Sequence, residues 1–278
     1  MVASTYIQEI EAWRAEMDAQ LRAPGPWGWL AVAGTYPLEK GKNTIGSSRK
    51  STIRLPKSAP EGVGQIEFDG QHGKLRVTTR QPVFVDGVEV RTAQLRNHRE
   101  KGGMSVVRVG NITFGIAESI NRVYEVIVWD ADSPRRQSFP PRAWYPINPD
   151  YCFTGRFIRN YSANELIKKS PNQYTPELMH LGNVFVYHAE TRYRYAVMRS
   201  DLGPKYLWLM LYDKTNGKTT HERGRHLQVR IIDGEEVEVD FNKLVMPPMT
   251  FCEHIVSPMA PIPNLFMTPL EVGERYPE

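Results

Sequence analysis

Short strand-like segments separated by turn residues follow one another along most of this chain, and they limit its fold more than any other feature. Thr52–Leu55 and Lys74–Val77 are typical, with apolar and polar residues in alternation. Val83–Val85 and Val88–Val90 flank Asp86-Gly87, a dipeptide that supplies the positive φ values of a tight hairpin turn. Many short strands with regular turns are typical of a sandwich or a barrel. We therefore predict a mainly β fold.

An amphipathic helix precedes the strands. Proline cannot continue a helix, so Pro24 and Pro26 end it, and we assign residues 1–22 to an N-terminal helix. A β-sandwich at residues 23–121 should follow, packed against a second antiparallel sheet or barrel in a C-terminal domain at residues 122–278. The apolar stripe of the helix recurs at three- and four-residue spacing and consists of Ile7, Ile10, Trp13, Met17 and Leu21.

A long polar stretch, Asn160–Leu178, interrupts the strand pattern of the C-terminal domain. Connections of this length without regular strands often close over a binding site. We therefore predict a lid at residues 160–178.

Composition excludes several classes of protein. Hydrophobic residues make up 41% of the 278 residues, which is enough for a packed core. The formal net charge is +4, and the basic residues are interleaved with acidic ones along the sequence. We therefore do not expect a nucleic-acid partner. No apolar run is long enough for a membrane helix, and no secretory signal is present, so we expect a cytoplasmic protein without a membrane partner. Cys152 and Cys252 lack metal-ligand spacing, and no cofactor or metal is predicted. The oligomeric state stays open.

One segment of the predicted sandwich carries a familiar pattern. Asn43-Thr-Ile-Gly-Ser47, followed by Ile53-Arg-Leu-Pro56, resembles the opening of a forkhead-associated (FHA) domain. The resemblance implies a sandwich whose loops at one end bind phosphothreonine. The residue after Gly46 is serine, where phosphopeptide-binding members usually carry arginine, so a shared strand pattern without phosphopeptide binding is the alternative. Phosphate recognition needs an arginine and hydroxyl donors on neighbouring loops, and the candidates are Ser47, Ser48, Arg49 and Ser58.

Polar residues concentrate in the C-terminal half. An imidazole near neutral pKa with a carboxylate behind it is the usual acid–base arrangement, so His221 or His226 with Asp240 is a candidate catalytic pair. Arg225 could then hold an anionic or carbonyl group of a substrate. The alternative reading is structural, since buried Asp–Arg pairs and Asn-to-backbone bonds often pin loops to a sheet. That alternative covers Asp213, Arg225, Asp240 and Asn242.

Aromatic residues are also frequent in this half, and several would share one face of a strand. Either they pack as a core or they wall a cavity for an organic ligand. The predicted substrate-binding set is Arg225, Asn242, Asp213, Trp144, Tyr145 and Tyr187.

The chain carries, in order, Arg142-Ala-Trp-Tyr-Pro146, Asp213-Lys-Thr-Asn-Gly217, Gly224-Arg225, Asp240-Phe-Asn242 and Gly273-Glu274. Taken together, these landmarks resemble the family of the domain of unknown function 1684. The resemblance implies a β-rich protein with a leading helix and no established activity. This chain has His221 and His226 where the family typically has tyrosine and phenylalanine, which is consistent with a specialised site or with drift at an idle one.

Two functional hypotheses follow. The first is a protein that binds a small organic molecule, a cofactor-independent acid–base enzyme whose reaction would be an isomerisation, cyclisation or hydrolysis. The second is a phosphopeptide- or protein-binding module that uses the FHA-like loops.

Overall fold

The computed structural model describes residues 2–118, 123–160, 180–188, 191–200, 202–261 and 264–277. Of the predicted lid, all but Asn160 lies outside these ranges. The chain divides into two compact units. The sandwich unit comprises Ala19–Phe139 and Phe251–Val256, and the barrel unit comprises Met1–Asp18, Pro140–Thr250 and Ser257–Glu278.

Two sheets of short strands build the sandwich unit, as the alternating pattern predicts. Among the described residues, the first sheet has six strands in the order β1-β11-β10-β9-β6-β7 and the second has five in the order β3-β2-β4-β5-β8. The strands are β1 (Val32–Pro37), β2 (Gly41–Gly46), β3 (Ile53–Arg54), β4 (Gly64–Phe68), β5 (Gly73–Val77), β6 (Phe84–Val85), β7 (Val88–Glu89), β8 (Thr92–Leu95), β9 (Val107–Val109), β10 (Ile112–Glu118) and β11 (Tyr124–Asp130).

One apolar core lies between the two sheets. Ile66 and Leu75 of the second sheet and Phe114 and Val126 of the first are each fully buried in it. On β4 the outward-facing Gln65 and Glu67 alternate with buried neighbours, because successive side chains of a strand point to opposite faces. The predicted hairpin is also present, with Val85 opposite Val88 and positive φ at both turn residues.

Strand β11 belongs to the sandwich. The predicted boundary at residue 122 places Tyr124–Trp129 in the C-terminal domain, whereas the structure pairs this strand with β10 and β1. A strand's side-chain alternation shows that one face is buried but does not show which strands are its neighbours.

Six strands of the barrel unit close into an antiparallel barrel within the described part of the chain, each beside the next and the last beside the first. Leu209, Val229 and Val239 are fully buried inside it. Closure leaves these strands no free edge. The strands are β13 (Cys152–Arg159), β14 (His180–His188), β15 (Thr191–Arg199), β16 (Tyr206–Leu211), β17 (Arg225–Asp233) and β18 (Glu236–Asp240).

Short elements complete the structure. Strands β12 (Ala143–Trp144) and β19 (Glu274–Arg275) form a small ladder. Among the described residues, no helix combines the length and apolar character needed to cross a bilayer. Helix α1 (Val2–Leu21) confirms the predicted N-terminal helix. The other helices of the described residues are α2 (Arg135–Ser138) and the 3-10 helices Trp29–Ala31, Pro149–Tyr151, Phe241–Lys243 and Pro248–Thr250.

Two loops of the sandwich unit approach each other so closely that Gly46 is required between them. A Cβ at Gly46 would lie 2.0 Å from the carbonyl oxygen of Glu61, far inside van der Waals contact. Gly62, in the same loop as Glu61, has no atom within 4 Å of its own Cβ position. The backbone of one loop can therefore sit directly against the other only if residue 46 has no side chain.

We predict that Gly46→Ala destabilises the sandwich unit by about 1–3 kcal/mol or more, where 1–3 kcal/mol is the range typical of overpacking. The new methyl group would meet the backbone oxygen of Glu61, which cannot rotate away as a side chain could. Thermal unfolding followed by circular dichroism measures this effect. Gly62→Ala is the matched control and should leave the melting temperature nearly unchanged. Equal effects of the two substitutions would contradict the close approach.

Candidate functional site

A buried ion pair joins β17 to the loop that follows β16. Nη2 of Arg225 donates to Oδ2 of Asp213 at 2.8 Å, and both side chains are fully buried. The same guanidinium donates to three backbone carbonyls, those of Leu270 at 2.7 Å, Glu274 at 3.2 Å and Val272. These partners surround Arg225 with protein, so the geometry supports the structural reading of this residue over contact with a substrate.

Asp213 has a second set of partners. Its Oδ1 accepts from the backbone N–H of Thr215 at 2.8 Å, from the hydroxyl of the same residue at 2.6 Å, and from the backbone N–H of Leu270 at 3.2 Å. The carboxylate therefore orders its own loop and ties that loop to the C-terminal segment. Four acceptor contacts leave it little capacity for a ligand.

A second buried carboxylate is that of Glu274, which is not among the site residues predicted from the sequence. Arg142 donates to it through Nε at 2.7 Å and Nη2 at 2.6 Å, a bidentate pair. The backbone N–H of Met246 donates to the same carboxylate at 2.7 Å. Burial raises the pKa of Glu274, although Arg142 opposes that shift. In the sequence, Arg142 and Glu274 both stand among the family landmarks. They are 132 positions apart, so the sequence does not indicate that they pair.

Asp240 and Asn242 lie at the end of β18, where they hold helix α1. Oδ1 of Asp240 accepts from the hydroxyl of Tyr6 at 2.9 Å and from the backbone N–H of Asn242 at 3.0 Å, the latter capping the 3-10 helix Phe241–Lys243. Its Oδ2 lies 3.4 Å from the ammonium of Lys243. The side chain of Asn242 donates to Tyr6 and to the carbonyl of Asn148, at 2.8 and 2.9 Å. Both predicted site residues thus have structural partners.

Cys152 lies across the ladder from Asp240. Burial and the nearby Asp240 charge raise the pKa of its thiol to about 11. Only the thiolate is a strong nucleophile, so this cysteine stays protonated and unreactive near neutral pH.

The two candidate histidines are near each other but are not paired with Asp240. Within the described residues, neither imidazole is among the hydrogen-bond or ionic partners of that carboxylate. Nδ1 of His221 accepts from the backbone N–H of Arg223 at 3.1 Å. His226 is 6% exposed, and burial, with a smaller effect of His221, lowers its pKa to about 3. His226 is thus a neutral, enclosed imidazole, and no carboxylate in the described part of the chain is a partner that would orient its ring.

Adjacent positions on β17 face opposite ways. Arg225, Leu227 and Val229 lie on one face, whereas His226 and the exposed Gln228 lie on the other. Arg225 and His226 therefore lie on opposite faces of β17 and do not share one site.

The interior aromatic residues of the barrel pack against one another. Tyr193 stacks on Phe266 at 4.9 Å between ring centroids, and Tyr195 meets Phe241 edge-on at 6.1 Å. Phe153 contacts the same Phe241 ring at 5.7 Å. Such offset and edge contacts are those of a filled core, so they support the packed-core reading over a cavity wall.

The three other aromatic candidates lie apart. Trp144 contacts helix α1, where Trp13 meets it edge-on at 5.5 Å and the Arg14 guanidinium lies 4.9 Å from its ring centre. Tyr145 is buried, and its hydroxyl bonds to the hydroxyl of Thr219. Tyr187 is 67% exposed on β14. The structure therefore does not bring them together.

The serine and arginine candidates of the sandwich unit lie on two loops that are bonded to each other. The backbone N–H groups of Ser47 and Ser48 donate to the carbonyls of Pro60 and Glu61, at 2.9 and 3.2 Å. These bonds join the β2–β3 loop to the β3–β4 loop, which also carries the exposed Ser58. We call residues 47–51 and 57–61 the paired loops. Ordered backbone bonds fix the two loops as one surface.

The side chains on the paired loops differ in what they can still bind. The hydroxyl of Ser47 donates to the carbonyl of Ala59 at 2.8 Å, so its proton is committed. The Ser48 hydroxyl only accepts, from the backbone N–H of Lys50 at 3.3 Å, and its own proton is available for a ligand. Arg49 is exposed and has no ion-pair partner among the described residues.

Two other features bear on ligand binding. An open depression of about 800 Å³ lies on the outer face of the five-stranded sheet, where Lys42, Glu67 and Lys74 form a row of mixed charge. Mixed charge selects no one class of ligand. Across the described ranges, no three His, Cys, Asp or Glu side chains converge as a metal site.

Comparison with known proteins identifies the family. The model for the family described as a protein of unknown function, DUF1684, matches residues 137–275, half of the chain. The chain belongs to the DUF1684 family. No curated protein matches it. The DUF1684 match includes all the polar anchors described above for the barrel unit, namely Arg142, Asp213, Arg225, Asp240, Asn242 and Glu274. The family landmarks therefore coincide with buried contacts.

Several solved structures are similar to parts of this DUF1684 protein. The FhaA FHA domain, in complex with the intracellular domain of Rv3910, is 25% identical over 34% of this chain and 85% of that one, with a TM-score of 0.25. A structure from a study of phosphothreonine-dependent FHA domain interactions is 25% identical over 34% and 81%, with a TM-score of 0.25. An uncharacterised protein from Haloarcula marismortui is 19% identical over 51% and 80%, with a TM-score of 0.40.

We predict that Asp213→Ala destabilises the DUF1684 protein by about 3–5 kcal/mol, because it leaves the buried Arg225 guanidinium without its carboxylate. Equilibrium urea unfolding followed by circular dichroism measures the change. Glu235→Ala is the control: its partner Arg156 is 70% exposed, and the expected change is within about 0.5 kcal/mol. A small effect at Asp213 would show that the buried pair is dispensable.

The buried imidazole of His226 makes stability depend on pH. Its folded pKa of about 3 lies below the ordinary value of about 6.5 for an unfolded chain. Between these values the unfolded state binds a proton that the folded state does not. Stability should therefore fall as the pH decreases below about 6.5, by at most about 1.4 kcal/mol per pH unit from this group.

Urea unfolding at several pH values, comparing the parent protein with His226→Leu, tests this dependence. The variant should lose less stability on acidification than the parent. Replacement of the exposed His72 by Gln serves as the control and should leave the parent's slope unchanged. Identical slopes for the parent and His226→Leu would contradict the assignment.

Proposed function

We propose that this protein is a phosphopeptide-binding module and that the paired loops of its sandwich unit form the binding surface. The observation that supports the proposal is the exposed Arg49, next to Ser48 on a loop that backbone bonds join to the loop carrying Ser58. A phosphate group carries a charge of about −1.5 to −2 near neutral pH and accepts several strong hydrogen bonds. Arginine and hydroxyl donors on a rigid surface suit such a ligand.

The available donors define how the phosphate would be held. Arg49 would donate from its guanidinium, and Ser48 and Ser58 from their hydroxyls. Ser47 would act differently from the prediction, because its proton is used within the protein and it positions the second loop. Lys50 and Lys57, exposed on the same two loops, would add favourable charge.

The sequence resemblance to FHA domains makes phosphothreonine the first phosphorylated residue to test. The barrel unit supplies less support for the acid–base hypothesis, since its polar residues are engaged by protein partners and its interior aromatic rings are packed. A binding module needs no catalytic group, and exposed donors on ordered loops are sufficient for it.

An anisotropy assay with fluorescent phosphothreonine peptide libraries, each matched to an unphosphorylated library, tests the proposal. We expect the phosphorylated libraries alone to bind. Arg49→Ala should weaken binding at least about tenfold, because a hydrogen bond to a charged group contributes about 1.5–3 kcal/mol. Arg49→Lys should recover only part of the affinity, since lysine keeps the charge but loses the planar fork of donors.

Arg199→Ala is the control, since Arg199 is an exposed arginine on β15 of the other unit, and it should bind like the parent. Binding that is equal for both kinds of library, or unaffected by Arg49→Ala, would overturn the proposal. Absence of binding to every phosphorylated library would do the same.

A further inference from the structure

A compact set of soft side chains lies on the outer face of three neighbouring barrel strands. Met198 on β15 is directly opposite Trp208 on β16, and Met210 on β16 is directly opposite His226 on β17. Directly opposed side chains of antiparallel strands have Cβ atoms about 4.5–5.5 Å apart. The rings of Trp208 and His226 meet edge-on at 5.1 Å between centroids. The four side chains thus form one patch.

The patch is enclosed by the chain itself. Met198, Met210 and His226 are 5%, 1% and 6% exposed, and Ala260 packs against the two methionines. The segment that carries Ala260, residues 257–261, has no regular secondary structure. Irregular chain, and not a barrel strand, therefore covers the two methionines.

The imidazole of His226 has an unused nitrogen inside this patch. Its Nε2 is buried and has no hydrogen-bond partner among the described residues. Buried polar atoms are almost always satisfied, so an unpartnered one needs an explanation, of which a bound ion is one. An imidazole nitrogen is a common metal ligand in proteins.

We propose that the outer face of the barrel binds a single cuprous ion, Cu(I), through Nε2 of His226 and the thioether sulfurs of Met198 and Met210. The ring of Trp208 would flank the ion. This site is independent of the paired loops and of the phosphopeptide proposal.

The chemistry of the donors selects the ion. Thioether sulfur is a soft ligand that favours Cu(I), and imidazole binds copper equally well, whereas Mg²⁺ and Ca²⁺ need oxygen ligands. All three donors are uncharged, so the ion's charge would be buried without neutralisation. The desolvation cost rises with the square of that charge, which disfavours Zn²⁺ and Cu²⁺ relative to a monovalent ion.

The competing explanation is packing alone. Methionine fills irregular gaps and makes favourable contacts with aromatic rings, so a methionine–tryptophan cluster can be an ordinary part of a core. Packing does not account for the unpartnered Nε2 of His226. It also predicts no change in the methionine methyl groups when metal is added.

Anaerobic titration of the full chain with Cu(I) against a chromophoric Cu(I) chelator tests the proposal, with Ag(I) as a redox-inert probe of the same ligands. We expect one equivalent to bind, with no comparable uptake of Zn²⁺. Cu(I) binding should weaken at least about tenfold in each of Met198→Leu, Met210→Leu and His226→Leu. Loss of a residue that only hydrogen-bonds to a metal ligand typically lowers the metal affinity by that factor, so loss of a ligand should lower it at least as much. Met267→Leu, at a 65% exposed position, is the matched control.

A second measurement does not depend on the variants. In the parent protein labelled at the methionine methyl carbons, Ag(I) should shift two methyl resonances and leave that of Met267 in place. Leucine nearly conserves methionine's volume, so those two variants are expected to fold. Absence of Cu(I) uptake, uptake unchanged by the substitutions, or methyl resonances that do not shift would each overturn the proposal.

Discussion

Two buried arginines hold the C-terminal segment of this protein in place, and much of the barrel unit depends on them. Arg225 donates to backbone carbonyls of residues 270, 272 and 274, while Arg142 binds the Glu274 carboxylate in a bidentate pair. A buried charge without a partner is very costly, so each of these groups strongly favours the one arrangement in which all are matched. The segment therefore has a defined path although little of it is strand.

These anchors change how the polar residues of the barrel unit are interpreted. A carboxylate or guanidinium used for chemistry must present at least one atom to a substrate. Asp213 and Asp240 use their oxygens on loops and on helix α1, and Arg225 lies under the C-terminal segment. In the sequence, this cluster of polar residues resembles an active site. In the structure, the same residues join segments that are far apart along the chain. Exposed, uncommitted donors are more informative, and they occur on the paired loops.

Local signals in the sequence predicted much of the fold. The turn at Asp86-Gly87 adopts positive φ and closes the expected hairpin, and the proline-rich break follows helix α1. Long-range pairing was harder. Strand β11 has an apolar pattern that suits either unit, and Glu274 lies 132 positions from Arg142. Neither partner can be chosen from alternation or spacing, because a strand's pattern identifies its buried face and not its neighbour.

The histidines show why residue identity alone did not define a site. Arg225 and His226 are adjacent in the sequence, but consecutive residues of a strand face opposite ways. Arg225 therefore binds Asp213, whereas the imidazole of His226 packs against Trp208 on the outer face of the barrel. Only the pairing of β16 with β17 puts Met210 opposite His226. The register between strands, which no local pattern encodes, is therefore what turns a buried histidine and two scattered methionines into a candidate ligand set.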